Sequence, residues 1–373
     1  MSRAATLVLL AAASCGRLGF SSTGDAGGAA ADGASGDGSV DGGLPFNIVF
    51  VTSTTHAGDL GGLAGADAIC QGLAAAAGLG GTYVAWLSTS TVSANSRLGS
   101  ARGWTRPDGR PVFDQQQDIA QGHLLYPPRL DETGADVGQQ TITTATRNGL
   151  LSATGTTCGD WTLADMQFVD VGDSSAATQA FAFTGNVARC ATLRRFYCFG
   201  IDRSNPIVVS AQAGRKAFVS QGGLDGTNGP AAADAMCASE ALAAGRTGSF
   251  KALMATTTAT AASRFSTALG PWSRFDGVLL SDTAAELFTA PYWHTALSVD
   301  AQGGGFYASS GVWTGAATPT ALGTNASTCN NWSTPSSAAT GLTGATDDSK
   351  TSRSFAFGNG QCSQTYRAYC LEE

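Results

Sequence analysis

The sequence predicts an α+β protein built twice, each copy a short helix against a small, mostly antiparallel sheet with long loops. Three observations carry this. Eight cysteines form two sets of four, Cys70, Cys158, Cys190, Cys198 and Cys237, Cys329, Cys362, Cys370, at intervals of 88, 32 and 8 residues and then 92, 33 and 8. An Ala-rich run surrounds the first cysteine of each set. Short aromatic and β-branched runs open and close each copy. An even number of cysteines at a repeated spacing implies a disulfide framework wherever the compartment is oxidising.

The chain begins with Arg3 and an apolar, small-residue run, Ala4–Ala13. That run is long enough for the core of a signal peptide, expected over residues 1–14, and too short to span a bilayer. It leads into Ala12-Ala13-Ser14-Cys15, which resembles a bacterial lipobox with Ala12 where Leu is usual. Cys15 is therefore expected to be a lipid anchor; ordinary secretion, with Cys15 leaving with the leader, is the alternative. A multiply acylated terminus holds a membrane stably. Residues 15–44 are Gly, Ala, Ser and Asp with almost no large apolar residue, and read as a disordered tether. Asp25, Asp32, Asp37 and Asp41 lie there, at a spacing unlike the alternating ligands of a calcium loop.

Two domains are expected in the rest, residues 45–203 and 204–373. Ile48–Thr52 and Lys216–Ser220 read as opening strands. The Ala-rich runs Leu63–Ala77 and Pro230–Ala244 read as helices, with Gly78 and Gly245 at left-handed cap positions and Pro230 in a first turn. Gly81–Leu87 and Gly248–Met254 read as buried strands. Trp104-Thr105-Arg106-Pro107-Asp108-Gly109 recurs as Trp272-Ser273-Arg274-Phe275-Asp276-Gly277, with Asp-Gly marking a turn. Cys158-Gly-Asp-Trp161 recurs as Cys329-Asn-Asn-Trp332, Phe181-Ala-Phe183 as Phe355-Ala-Phe357, and each copy closes on an aromatic strand, Phe196–Phe199 and Tyr366–Cys370. Gly/Ser/Thr-rich stretches between these landmarks predict long loops.

Four cysteines allow three pairings per copy. Cys190 with Cys198 is disfavoured if the segment is a strand, because eight residues would span about 26 Å while bridged Cα atoms lie roughly 4.4–6.8 Å apart. Of the remaining two, the nested pairing is taken: Cys70–Cys198 with Cys158–Cys190, and Cys237–Cys370 with Cys329–Cys362. It staples helix to final strand and the long loop region to itself.

Gly65-Ala66-Asp67-Ala68-Ile69-Cys70-Gln71, followed by Ala77–Ser88, resembles the endostatin domain of collagens and, more closely, the bacterial DUF1554 lipoproteins, which include leptospiral endostatin-like surface proteins. The Cys-x-x-Trp at Cys158 and Cys329 and the closing cysteine pairs fit the same family. The resemblance covers nearly all of Phe46–Asp202 and extends more weakly over Pro206–Glu373. It implies tandem C-type-lectin-like (endostatin-like) domains with nested disulfides, an outer-membrane or cell-surface location, and partners such as laminin, fibronectin, plasminogen and complement factor H. The chain lacks the Glu-Pro-Asn, Gln-Pro-Asp and Trp-Asn-Asp motifs of calcium-dependent lectins. Its histidines, His56, His123 and His294, are far apart and do not match endostatin's zinc site.

Composition narrows the function classes. Charged residues make up 13% of the chain, against about 25% in typical soluble proteins. The net charge is −7, the four Asp residues of the tether supplying a number of charges equal to over half of it, so nothing resembles a nucleic-acid-binding stripe. No Gly-x-Ser-x-Gly elbow or His-Glu-x-x-His motif occurs. No catalytic, metal or cofactor-binding residue is assigned. Arg97, Arg102, Arg106 and Arg110 are the densest basic run, a solvated loop or a polyanion site. The recurring Trp104, Trp161, Trp272 and Trp332 are core residues or sugar-stacking platforms. A ligand surface is placed at Arg106, Arg274, Trp104 and Trp272. The expected protein is a non-catalytic, lipid-anchored surface protein binding an extracellular macromolecule, a matrix protein or a glycan, with the membrane touched only through the lipid. A calcium-independent lectin-like module is the alternative, and a secreted hydrolase the second.

Overall fold

The computed structural model describes residues 45–147, 149–151, 156–210, 212, 214–308 and 311–373. The leader, Cys15 and the tether lie outside the described residues.

The architecture is α+β, and each half repeats the same scheme. The opening strand β1 (Asn47–Val51) leads to a helix at Gly62–Ala76, then to β2 (Tyr83–Ala85), β3 (Trp104–Thr105) and β4 (Pro111–Phe113). A second group follows: β5 (Thr141–Thr143), the hairpin β6 (Thr146–Arg147) and β7 (Leu150–Leu151), β8 (Phe168–Asp173) and β9 (Val187–Arg189). The closing strand β10 (Tyr197–Gly200) returns to the first sheet, whose order is β2-β10-β1-β3-β4, while β5-β8-β9 form a smaller one. The second half has β11 (Arg215–Val219), a helix at Gly229–Ala243, β12 (Phe250–Ala252), β13 (Trp272–Arg274), β14 (Gly311–Trp313), β15 (Thr340–Ala345), β16 (Gly358–Gln361) and β17 (Tyr369–Glu372). Its sheets are β12-β17-β11-β13 and β14-β15-β16. The opening strand lies parallel to β3 or β13 and antiparallel to the closing strand.

Each long helix is rich in Ala because its inner face must lie close to the sheet. Ala66, Cys70 and Ala74 in one, and Ala233, Cys237 and Ala241 in the other, recur every four residues and are buried. Gly78 (φ 72°) and Gly245 (φ 68°) follow the helices in the left-handed region. In the closing strands Cys198 sits between Phe50 and Ala85, and Cys370 between Phe218 and Ala252. The helix cysteine reaches across to it, forming Cys70–Cys198 and Cys237–Cys370; Cys158–Cys190 and Cys329–Cys362 lie inside these loops.

The Cys-x-x-Trp motif has an unexpected backbone. Cys158, Gly159, Asp160 and Trp161 all have positive φ (52°, 59°, 55°, 71°), as do Cys329, Asn330, Asn331 and Trp332 (50°, 57°, 55°, 60°). Each is one turn of left-handed helix, at a cost of about 1–2 kcal/mol per non-glycine residue. The middle positions are Gly, Asp and Asn, the types that tolerate this conformation best. Tertiary bonds hold the rest. The Trp161 indole donates to Ser88 O at 2.8 Å, and Trp332 to Ala255 O at 2.8 Å. Asp160 accepts from Ser90 N and Oγ, both at 2.7 Å, and Asn331 Oδ1 accepts from Thr257 N at 3.0 Å.

Candidate functional site

The ligand surface expected at Trp104, Trp272, Arg106 and Arg274 is not a surface. Trp104 and Trp272 are fully buried, and their indoles donate to Gly200 O (2.9 Å) and Glu372 O (2.8 Å) on the closing strands. Arg106 and Arg274 are 4% and 0% exposed. The Asp-Gly turn explains the motif: it folds the carboxylate two residues downstream back onto each guanidinium, pairing Arg106 with Asp108 and Arg274 with Asp276. A motif repeated in both halves here marks a buried clamp. The basic run is likewise neutralised, with Arg97 on Asp67 (2.6 Å), Arg102 on Asp114 (2.5 Å) and Arg110 on Asp282 (3.2 Å). His56 Nε2 lies 2.7 Å from Thr54 Oγ1 on an exposed loop, and no carboxylate contacts its ring among the described residues.

These buried arginines lead to a seam between the halves. Arg274 reaches Leu124 O at 3.4 Å, besides Ala296 O at 3.0 Å in its own half. Arg129, 6% exposed, pairs with Asp136, donates to Ser349 Oγ at 2.9 Å and lies over the Tyr292 ring at 4.3 Å. Two loop segments pair as a short antiparallel bridge, Ala177 N donating to Asp347 O and Ser349 N to Ser175 O, both at 3.0 Å. His123 stacks on Phe306 with ring centres 4.0 Å apart. The halves are thus joined by backbone bonds, desolvated cations and apolar contact.

A cleft of about 940 Å³ opens along this seam, walled by both halves. Asp173 and Asp348 approach at its floor, and Gln139 spans them. The Gln139 amide donates to Asp173 Oδ2 at 2.6 Å and to Asp348 Oδ2 at 3.2 Å, while its oxygen accepts from Lys350 Nζ at 3.0 Å. Asp173 Oδ1 also takes Ser175 N and Oγ, and Asp348 Oδ1 takes Lys350 N. Arg353 Nε lies 2.6 Å from Asp348 Oδ2, an ion contact bent away from hydrogen-bond alignment. Burial, then the nearby Asp173 charge, pushes the Asp348 carboxyl from 3.8 up to about 6.

Around Asp173 and Asp348 the lining mixes uncharged polar and apolar side chains with further charged groups, Arg194, Asp347 and Arg353. Gln179, Asn186, Thr141 and Thr184 come from the first half, as does the ring of Phe183, and the ring of Phe357 comes from the second. Phe357 is 51% exposed with Arg353 over its ring at 4.8 Å, and Phe183 has Arg147 over it at 4.4 Å. Hydroxyls and amides beside partly exposed aromatic rings suit a ligand with many hydroxyls and apolar C–H faces. Among the described residues no three His, Cys, Asp or Glu side chains stand close enough to hold a metal ion. All eight described cysteines are in disulfides. No described helix is long and apolar enough to cross a membrane.

Sequence reasoning missed the cleft because its residues lie in the irregular stretches between landmarks. Only the repeated Phe-Ala-Phe, whose last members are Phe183 and Phe357, pointed towards it. No protein-family model matches the chain, and no curated protein matches it.

Proposed function

We propose that this protein is an extracellular binding protein that seats a glycan in the cleft between its halves, without calcium and without turning the glycan over. The observation that carries this is the lining: amides and hydroxyls from the first half and one phenylalanine ring from each half. The acidic side chains at the floor support a non-catalytic reading, because Asp173 and Asp348 are engaged with Gln139, Ser175, Lys350 and Arg353 in holding the seam. The four disulfides place the folded part outside the reducing cytosol. In this reading each half is a C-type-lectin-like domain, supported by a helix stapled to the closing strand with a second bridge nested inside. The lipobox-like Cys15 supports anchoring at the outer membrane or cell surface.

A glycan array probed with the full chain, followed by calorimetry on the best ligand, tests the reading. Saturable binding that survives chelation and drops at least tenfold in N186A and F357A is expected. An empty array, or affinity unchanged in both variants, overturns it; binding to immobilised matrix proteins with an empty array restores the protein-ligand alternative.

A further inference from the structure

The two halves share a register that allows their surfaces to be compared residue by residue. In the first half Ile142 pairs with Gly172 and in the second Val312 pairs with Gly344, and the ribbons β8/β9 and β15/β16 follow in step to Cys190 and Cys362. Along one face of β8/β9, Phe168 stands opposite Arg189, while Val187, two residues from Arg189 on the same side, also lines the cleft. Met166 continues that side towards the turn, and its carbonyl accepts from Arg189 Nη1. Met166, Phe168, Val187 and Leu193 are 62%, 44%, 47% and 62% exposed. At the matching positions the second half carries Ala338, Thr340, Asn359 and Thr365, and Gln361 replaces Arg189. The backbone is the same; only the first half has a large apolar face with a cation in it.

Packing does not require this face, since the equivalent ribbon is built with small polar residues. The carboxylate on this face, Asp170 opposite Val187, is fully buried and paired with Arg147. Among the described residues neither Arg189 nor Arg194 has an acidic partner within ion-pair distance, and the nearby Asp165 accepts from Gln167. Arg189 lies over the Phe168 ring at 5.2 Å, which leaves its guanidinium at the rim of the apolar patch. Apolar side chains at the centre, an aromatic ring and unpaired arginines at the edge are what an interfacial surface presents to acyl chains below and anionic headgroups above.

We infer that the outer face at the start of the β8/β9 ribbon, centred on Met166 and Phe168 with Arg189 at its rim, docks onto an anionic lipid surface. The second half's matching face stays in water. Hydroxyl-radical footprinting of the full chain tests this with vesicles of phosphatidylcholine, with or without phosphatidylglycerol. Modification of Met166 and Phe168 is expected to fall several-fold on the phosphatidylglycerol vesicles alone, while exposed Leu242 and Leu269 of the second half stay unchanged, and R189E is expected to lose the protection. Unchanged labelling of Met166 and Phe168, or equal protection in R189E, overturns the inference. Protection that grows with protein concentration and no vesicles also overturns it and assigns the face to a second copy of the chain.

Discussion

Replacing Asp348 by Asn probes the floor of the cleft with a sign that is easily read. The carboxyl is 2% exposed and faces Asp173 from the other half, which raises its pKa from 3.8 to about 6. The folded protein therefore holds a proton that the unfolded chain has already released between those values. Stability from this group is complete below pH 3.8 and is lost as the pH rises through about 6. At about 1.36 kcal/mol per pKa unit, the charged form costs the folded state about 3 kcal/mol at neutral pH relative to acid. D348N keeps an oxygen for Lys350 N and never ionises. Urea unfolding of both proteins between about pH 4 and pH 8 measures the difference. Groups common to both cancel, so D348N should gain on the parent by about 3 kcal/mol across that range, most of it between pH 4 and 6. Parallel stability curves would show that Asp348 is solvated or better paired than its setting implies, and the reasoning would fail.

Three further outcomes follow from the scaffold. R274A should lose about 3–5 kcal/mol in urea unfolding, because it leaves Asp276 unpaired beside a buried gap and removes the bond to Leu124 O across the seam. N331A should cost about 2 kcal/mol, half from alanine in the left-handed region and half from the lost bond to Thr257 N, with N331G recovering the backbone part in the same assay. Removing the Cys158–Cys190 bridge, which closes a separation of 32 residues, should cost about 3.7 kcal/mol by the chain-entropy model, against about 4.9 kcal/mol for Cys70–Cys198 at 128, measured by denaturation of the paired alanine variants.

Local chemistry was readable in the chain. Ala-rich runs ended by Gly78 and Gly245 specify helices, because glycine alone takes the left-handed cap without cost. Asp108-Gly109 and Asp276-Gly277 specify turns, and the alternation of aromatic and small residues specifies short strands. The left-handed turns had a signal as well: Gly159-Asp160 and Asn330-Asn331 are the residue pairs that accept positive φ, set between an anchored cysteine and a tryptophan.

Burial, in contrast, was decided by the tertiary structure. Trp104 and Arg274 look like surface recognition residues in isolation, and nothing local reveals that the closing strand and the other half cover them. The seam joins positions 129 with 349 and 139 with 348, and the cleft exists only because those distant loops meet. Periodicity records which side of a strand a residue faces; it holds no record of what will be packed against that side. The paired ribbons make the same division. The sequence by itself placed Phe168 and Arg189 on one molecule with Thr340 and Gln361, and strand register alone showed that they occupy equivalent faces, one apolar and one polar.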